Sequence, residues 1–258
     1  MRTELLTLVG SEIEYRIVGA RAPDARDLVL LHEGLGSVAM WKNFPEALAQ
    51  ATGCRTLLYS RHGYGRSSTL RQRRSPSFMH EEATVVLPAL LRELGFEHPV
   101  LFGHSDGASI ALIHAASSES RAAAVVALAP HVKVEAQSIA SIERARTAYE
   151  TTDLRARLAR YHRDVDSAFW GWNQVWLDPE FRTWNIEGLL PSIGCPVLAI
   201  QGRDDEYGTL DQIESIRRAL PSTELLVLED CGHSPQRDQP AAVLAAAQRF
   251  VTQLAAAA

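Results

Sequence analysis

Short apolar runs alternate with helical stretches along most of this chain, and this alternation constrains the fold more than any other feature. A run that is apolar throughout, such as residues 28–31, is typical of a strand buried on both faces of a sheet. We predict strands at residues 5–9, 13–18, 28–31, 55–59, 99–102, 123–128, 196–200 and 224–228. Helical patterns lie at residues 41–51, 78–94, 108–116, 210–220 and 241–254, and the second of these is interrupted at Pro88. This order predicts an α/β fold, a mostly parallel sheet of about eight strands with helices on both faces.

One long segment, residues 131–194, interrupts the alternation because it contains no strand pattern. Its arginine, glutamate and aromatic residues indicate several helices, so we predict a helical insertion into a core domain made of residues 1–130 and 195–258. Four of the five tryptophans lie in this insertion. Their rings either form the insertion's own core or cover a substrate pocket. The candidates for substrate binding are Trp170, Trp172 and Trp176.

The composition is typical of a folded soluble protein, since 46% of the 258 residues are hydrophobic and 22% are charged. A formal net charge of −5 offers no basic surface to nucleic acid or anionic lipid, so neither is an expected partner. No apolar run reaches the roughly 18 residues of a membrane span, and the first residues lack the apolar core of a secretory signal. Cys54, Cys195 and Cys231 are too few and too widely spaced for a disulfide framework or a zinc site. We therefore expect a cytoplasmic protein.

The segment Gly103-His104-Ser105-Asp106-Gly107 places a G-x-S-x-G pattern between an apolar strand run and a helix of small residues. A serine hydroxyl is a weak nucleophile unless a base takes its proton. A tight strand-to-helix turn lifts the hydroxyl above the sheet, where a base can reach it, and the glycines permit the crowded backbone. The Asp106 N–H, at the start of the helix, then faces developing negative charge. Ser105 is thus the candidate nucleophile.

Two later strand ends supply a candidate acid and a candidate base. Asp204 and Asp205 follow the strand at residues 196–200, and His233 follows the strand at residues 224–228. The carboxyl ends of parallel strands share one edge of the sheet, where α/β folds build their sites. The order serine, acid, histidine is the one found in hydrolase triads on this kind of sheet.

Together these motifs resemble the α/β-hydrolase superfamily, and the resemblance covers essentially the whole chain. Its further markers are His32-Glu33-Gly34-Leu35-Gly36-Ser37, Gly63-Tyr64-Gly65-Arg66-Ser67, residues 202–205 and Gly232-His233. The resemblance implies an α/β-hydrolase fold with a helical cap inserted after the sixth strand. It implies no cofactor and no metal.

The same resemblance assigns roles to individual residues. It makes Ser105 the nucleophile and His233 the base. Asp205 is favoured over Asp204 as the acid, because the family's acid usually lies three residues after the glycine. The oxyanion donors that it implies are the backbone N–H groups of Asp106 and of Gly34 or Leu35.

Two carboxylates depart from the family's common pattern beside the implied oxyanion site. Glu33 stands where a glycine is frequent, and Asp106 stands where an apolar residue is frequent. Negative charge there would oppose an oxyanion unless the carboxylates are turned away or neutralised. They either bond to loop backbone or to a basic neighbour such as Arg61, or one of them recognises a hydroxyl or ammonium group of the substrate.

Other polar residues near these motifs receive structural interpretations. His104 is expected to point away from the nucleophile along the turn. The arginines at positions 66, 71, 73 and 74 are expected in a flexible, solvated loop, because Gln, Ser and Pro separate them.

The combined pattern predicts a serine hydrolase that cleaves a small or medium carboxylic ester of a small-molecule substrate through an acyl-enzyme. Fold and triad alone also suit a C–C bond hydrolase of aromatic degradation or an enol-lactonase, because one fold hosts many reactions. An aminopeptidase and a non-catalytic ligand-binding protein are further alternatives. The oligomeric state is not predicted.

Overall fold

The computed structural model describes residues 2–23 and 25–256. Within these residues, eight strands form a single sheet. They are β1 (Glu4–Leu8), β2 (Ser11–Val18), β3 (Leu28–Leu31), β4 (Thr56–Ser60), β5 (Val100–His104), β6 (Ala124–Leu128), β7 (Val197–Gly202) and β8 (Glu224–Leu228). Each predicted strand is present, with ends that differ by at most two residues.

The sheet is mostly parallel, in the spatial order β1-β2-β4-β3-β5-β6-β7-β8. β1 pairs with β2, and β2 with β4, in antiparallel fashion, whereas every other neighbouring pair is parallel. β3, β4, β5 and β6 are buried along their whole length, as expected for predominantly apolar strands inside a parallel sheet. The predicted sheet is confirmed.

Helices cover both faces of the sheet. The α-helices of the described residues are α1 (Phe44–Thr52), α2 (Phe78–Glu81), α3 (Leu87–Leu94), α4 (Asp106–Ala115), α5 (Ala136–Thr151), α6 (Leu154–Leu158), α7 (Val165–Trp176), α8 (Asp211–Ala219), α9 (Pro235–Asp238) and α10 (Pro240–Ala256). Successive side chains of β5 point to opposite faces, so Leu101 and Phe102 belong to different apolar clusters. The first cluster includes residues of α3 and α4, and the second includes residues of α1 and α10.

The predicted helix at residues 78–94 is interrupted. A π-helical turn at Glu82–Val86 separates α2 from α3, and Pro88 lies in the first turn of α3. Proline has no N–H, and its ring would clash with the carbonyl four residues earlier in a regular helix. The wider turn absorbs this conflict, as π-turns within helices commonly do.

The segment between β6 and β7 is helical, and it contains α5, α6 and α7. Among its described residues, the one β-type contact is an isolated bridge between Lys133 and Asn185. Aromatic rings form much of its interior, with Tyr149 stacked on Phe169 at a centroid distance of 3.7 Å. A helical segment therefore follows the sixth strand, while its role as a cap and its limits at residues 131 and 194 stay predictions.

Three smaller observations bear on the composition. None of the helices in residues 2–23 and 25–256 is long and apolar enough to cross a membrane. All three cysteines are free thiols, and Cys54 and Cys231 are buried. No cluster of three or more His, Cys, Asp or Glu side chains in the described chain is arranged to hold a metal ion.

Candidate active site

Ser105 occupies the sharp turn between β5 and α4. Its backbone has φ of 53° and ψ of −120°, a conformation that costs a non-glycine residue about 1–3 kcal/mol. The flanking glycines make the turn possible through close backbone approach. A Cβ atom on Gly103 would lie 2.3 Å from the Gly107 carbonyl oxygen, and one on Gly107 would lie 2.1 Å from the Leu31 carbonyl oxygen. The G-x-S-x-G spacing therefore follows from packing at this turn.

The turn places Ser105 against His233. The Ser105 Oγ atom lies 2.9 Å from His233 Nε2, and His233 Nδ1 lies 2.8 Å from Asp205 Oδ1. Because Nδ1 faces a carboxylate, it carries the imidazole proton and leaves Nε2 free to accept the serine hydroxyl proton. The structure thus brings the three predicted residues into one hydrogen-bonded chain.

The Asp205 carboxylate is fixed by its own loop after β7. Its Oδ1 atom accepts hydrogen bonds from the backbone N–H groups of Tyr207 and Gly208, at 2.8 and 3.2 Å. Its Oδ2 atom accepts one from the Gln201 side-chain amide at 3.2 Å. Asp204, in contrast, is exposed to solvent. Of the two aspartates, Asp205 is therefore the one that contacts the His233 ring.

Burial and charge act in opposite directions on this pair. Burial alone would lower the pKa of His233, but the hydrogen bond and negative charge of Asp205 outweigh it and raise that pKa above its usual value. Burial likewise acts to raise the pKa of Asp205, yet hydrogen bonding and charge from His233 hold it below its usual value. Asp205 is therefore ionised when His233 serves as a base.

A small pocket of about 150 Å³ opens above Ser105. Its lining combines aromatic rings, acidic side chains and backbone. The lining residues include Glu33, Gly34, Leu35, Asp106, His131, Ile142, Trp172, Trp176, Glu206 and Tyr207, together with Ser105 and His233. We call this space the catalytic pocket.

The backbone groups expected to bind an oxyanion lie in this pocket. Gly34, Leu35 and Asp106 all line it beside Ser105. Among the described residues, none of their three N–H groups donates a hydrogen bond to another part of the chain. Arg61 fixes the loop that bears the first two, because its guanidinium donates to the carbonyl oxygens of His32 and Glu33. These N–H groups are thus free to bind a ligand oxygen.

The Asp106 side chain is buried beneath the pocket wall. Its Oδ1 atom accepts a hydrogen bond from Trp176 Nε1 at 3.2 Å, and its Oδ2 atom lies 3.8 Å from the Arg61 guanidinium. Burial raises the pKa of Asp106, and the nearby Arg61 charge only partly offsets that effect. The carboxyl group thus has the neighbours expected if it plays a structural role.

Glu33 has a different setting, since it is partly exposed and lines the pocket. Burial acts to raise its pKa, but a carboxylate oxygen 3.4 Å from His104 Nδ1 is stabilised by that ring, and the pKa is lowered to about 2. Glu33 therefore presents a negative charge at the pocket.

Two histidines near the site are not given a role by the sequence alone. His104 does not simply point away, because its Nε2 atom lies 2.6 Å from the His233 carbonyl oxygen and donates to it. His131 is buried with its ring 5.7 Å from the His233 ring and 4.9 Å from that of Trp176. Burial is the main cause that lowers the pKa of His131, to about 3. Its position just after β6, at the carboxyl edge of the sheet, is the signal that could have found it.

The inserted helix α5 holds the loop that carries the acid. Gln137 donates a side-chain hydrogen bond of 2.6 Å to the Asp205 carbonyl oxygen. The hydroxyl of Ser138 donates to the Tyr207 carbonyl oxygen at 2.7 Å, and that of Ser141 donates to the Glu206 carbonyl oxygen. The insertion therefore supports the triad as well as covering it.

Two expectations about neighbouring residues are wrong. Trp170 does not line the catalytic pocket, because its ring packs edge-on against Phe169 and Tyr149 at centroid distances of 5.1 and 5.6 Å. Arg74 is not part of a solvated loop. Its guanidinium donates to the His62 carbonyl oxygen at 2.5 Å and lies 4.7 Å from the centre of the Tyr64 ring.

Sequence comparison identifies the family. A model described as the alpha/beta hydrolase family matches residues 28–247, which is most of the chain. The chain therefore belongs to the alpha/beta hydrolase family.

Individual relatives are more distant. A proline iminopeptidase of Lactobacillus helveticus is 36% identical over 110 residues, which are 42% of this chain. That match spans 36% of the peptidase, or about a third of its length. An sn-1-specific diacylglycerol lipase of Danio rerio is 24% identical over 252 residues, covering 84% of this chain and 75% of the lipase.

Solved structures show the same fold. The enol-lactonase from Burkholderia xenovorans superposes with a TM-score of 0.76 at 19% identity. The superposition covers 96% of this chain and 100% of the enol-lactonase. The likeness establishes the architecture and leaves the substrate to be argued from the site.

Proposed function

We propose that this protein is a serine hydrolase in which Ser105, His233 and Asp205 form the catalytic triad. The observation that carries the proposal is the chain of two hydrogen bonds, 2.9 and 2.8 Å long, that joins Ser105 through His233 to Asp205. The triad borders a pocket lined by backbone N–H groups without an acceptor in the described chain. This arrangement provides a nucleophile, a base and an oxyanion site.

The reaction follows in two halves. His233 removes the Ser105 proton as Oγ attacks the substrate carbonyl, and Asp205 stabilises the resulting imidazolium. The N–H groups of Asp106 and of Gly34 or Leu35 bind the oxyanion. His233 then gives its proton to the leaving group, which departs and leaves an acyl-enzyme. Water that loses a proton to His233 attacks the ester, and Ser105 takes the proton back as the acid is released.

The substrate that fits best is a carboxylic ester with a short acyl group. The catalytic pocket has a volume of only about 150 Å³, and Trp172, Trp176 and Ile142 give it apolar walls. Such walls suit an alkyl or aryl acyl chain. No feature of the pocket favours an enol-lactone or a C–C bond over an ester.

The first test is labelling with a fluorophosphonate, followed by mass spectrometry of the modified peptide. We expect the label on Ser105 and none on the Ser105→Ala variant. With 4-nitrophenyl butanoate, Ser105→Ala should lower kcat by roughly four orders of magnitude or more. The exposed Ser118, which does not line the catalytic pocket, offers a control as Ser118→Ala.

A folded wild-type protein that takes up no label would contradict the triad and would favour the ligand-binding alternative. If Ser105 is labelled, a panel with esters, an enol-lactone, a thioester and a dienol keto acid identifies the bond that is cleaved. Faster turnover of the enol-lactone or the dienol keto acid than of the butanoate would replace the ester assignment.

A second candidate is a substrate with an ammonium group close to the scissile carbonyl, such as an amino-acid ester or an aminoacyl amide. Glu33 and Glu206 both line the catalytic pocket, and the low pKa of Glu33, about 2, keeps it charged. The partial match to a proline iminopeptidase supports this candidate.

The variant Glu33→Gln separates the two candidates. If Glu33 binds an ammonium group, kcat/KM for L-alanine 4-nitrophenyl ester should fall about tenfold, while that for 4-nitrophenyl butanoate should fall much less. The exposed Glu180, outside the pocket, provides the control Glu180→Gln. Equal losses on the two esters would show that Glu33 supports the loop and does not select a charge.

A further inference from the structure

A second cavity, of about 680 Å³, lies between the insertion and the core domain. On the insertion side its wall is α6 and the residues that follow it. On the core side its wall is formed by α1, α9 and the start of α10. We call it the basic groove, because Lys42, Arg157, Arg160 and Arg237 line it.

The groove adjoins the catalytic pocket, and the two share part of their walls. Glu33 and Ser234 line both cavities. Ser234 directly follows His233, and the next residues along the chain, including Gln236 and Arg237, form part of the groove wall. The chain segment that follows His233 therefore forms part of the groove wall.

The charges of the groove are largely uncompensated. Arg157 pairs with Asp153 at 3.3 Å. Lys42, Arg160 and Arg237 have no carboxylate within 4.0 Å in the described chain. Of the groove's described lining residues, Glu33 is the one that is acidic. Because the whole chain carries a net charge of −5, this local excess of positive charge is a specific feature of the groove.

An unpaired donor lies in the same wall. The Trp41 side chain is only 5% exposed, and its Nε1 atom has no hydrogen-bond acceptor among the residues described. A buried donor without a partner costs free energy, so a shift of the Trp41 ring that brings Nε1 to an anionic oxygen in the groove would be favourable. The remaining wall is apolar. The Trp41 ring stacks on Phe44 at 6.0 Å, and Leu154, Leu158 and Leu244 also line the groove.

We infer that the basic groove binds the leaving group of the substrate, and that this leaving group is an apolar body bearing an oxyanion such as a phosphate, sulfate or carboxylate. The inference rests on the proposed hydrolase function, in which His233 protonates the leaving group. A leaving group next to His233 enters the groove beside Ser234, while the acyl group stays in the small catalytic pocket. The cations then meet the anion, and the apolar wall meets the rest of the leaving group.

The kinetic test compares phenyl butanoate with 4-sulfophenyl butanoate, which carries the anion on the leaving group. The groove variant is R160Q/R237Q. The control variant is R182Q/R217Q, which changes the net charge equally at exposed arginines that do not line the groove. The quantity measured is the ratio of kcat/KM for the anionic ester to that for the neutral ester. Comparing this ratio between variants cancels the different intrinsic reactivities of the two esters.

We expect the ratio to fall about three- to tenfold in the groove variant and to stay at the wild-type value in the control variant. Raising NaCl from about 50 to about 500 mM should lower the wild-type ratio, because exposed charges are screened. An unchanged ratio in R160Q/R237Q overturns the inference while leaving the hydrolase function intact. Monophenyl glutarate carries its anion on the acyl side. If R160Q/R237Q instead lowers the ratio of kcat/KM for monophenyl glutarate to that for phenyl butanoate, the leaving-group assignment is wrong.

A binding measurement keeps the inference testable without turnover. The probes are 8-anilinonaphthalene-1-sulfonate and its uncharged analogue N-phenyl-1-naphthylamine, both followed by fluorescence. The ratio of their dissociation constants should shift about three- to tenfold against the sulfonate in R160Q/R237Q and not in R182Q/R217Q. Equal ratios in both variants overturn the groove as an anion site, even if fluorophosphonate labelling fails and the proposed hydrolase function is lost with it.

Discussion

Each of the four polar atoms of His233 has a hydrogen-bond partner. Its ring nitrogens face Ser105 and Asp205, its backbone N–H donates to the Glu206 carboxylate at 3.1 Å, and its carbonyl oxygen accepts from His104. A base fixed in this way keeps its tautomer and its direction throughout the reaction. His104 therefore acts as a positioning residue, since it links the serine turn to the histidine loop.

The pH dependence of the rate depends on the same ring. A protonated His233 cannot accept the serine proton, so kcat/KM should fall as the pH drops below the pKa of His233, which Asp205 raises. Asp205→Asn removes that charge, so the acid limb of the profile should move to lower pH. The plateau rate should also fall by roughly four orders of magnitude, because the tautomer is no longer held.

The exposed neighbour Asp204 supplies the control. Asp204→Asn should keep both the limb and the plateau of the wild-type enzyme, since Asp204 does not contact the histidine. The measurement is kcat/KM for 4-nitrophenyl butanoate between pH 5 and 9. A limb that stays in place in Asp205→Asn would show that another group sets it.

Residues with a fixed place in a motif were predictable, and residues that depend on tertiary contacts were not. Ser105 and His233 follow predicted strands, so the sequence indicates their shared edge of the sheet. The role of His104 depends on a carbonyl 129 residues away, which no local pattern specifies. Trp170 and Trp172 have the same local composition, and only the packing of α7 decides which of them reaches the pocket.

At the scale of elements, the serine turn depends on two close backbone approaches. Gly107→Ala would place a Cβ atom 2.1 Å from the Leu31 carbonyl oxygen, so α4 would have to move away from β3. We expect a loss on the order of 3 kcal/mol in the free energy of unfolding, measured by urea denaturation. Fluorophosphonate labelling should slow as well, since the turn carries Ser105.

Gly194→Ala is the matched control, because no described atom lies within 4 Å of a Cβ built there. Its effect on the free energy of unfolding should stay below about 1 kcal/mol. Equal stability of the two variants would mean that α4 shifts without cost and that the close approach does not constrain the turn.

Sequence patterns predict where helices lie, but they predict neither the breaks within them nor their tertiary hydrogen bonds. The sequence predicts a helical stretch over residues 78–94 that is interrupted at Pro88, yet the break is a π-turn at Glu82–Val86, ahead of the proline. Periodicity reports the buried face of a helix and is insensitive to one wider turn. Similarly, the helical character of α5 is evident in the sequence, but its hydrogen bonds to the acid loop become visible only in the folded chain.

At the scale of the molecule, buried neutral histidines couple stability to pH. Burial lowers the pKa of His131 from its usual value of 6.5 to about 3, and it lowers that of His32 well below 6.5. The unfolded chain binds protons at these rings below pH 6.5, whereas the folded chain does not, so stability is lost as the pH falls below 6.5. For His131 the loss at pH 5 should be about 2 kcal/mol relative to neutral pH.

His131→Gln removes this contribution. The difference between the free energies of unfolding at pH 7 and pH 5 should shrink by about 2 kcal/mol, whatever the variant's stability at pH 7. Urea denaturation at the two pH values measures it. The exposed His98 serves as the control in His98→Gln, which should leave the difference unchanged. An unaltered difference in His131→Gln would show that His131 titrates normally in the folded protein.

The placement of the tryptophans gives the protein a built-in optical reporter. Trp172 and Trp176 line the catalytic pocket, while Trp41 lines the basic groove. Indole emission responds to local polarity and to nearby quenching groups, so a ligand in either cavity changes the intrinsic fluorescence. Replacing Trp41 by Phe would leave the reporter rings of the catalytic pocket in place. Occupancy of the two cavities can then be followed separately in real time, in an unlabelled protein.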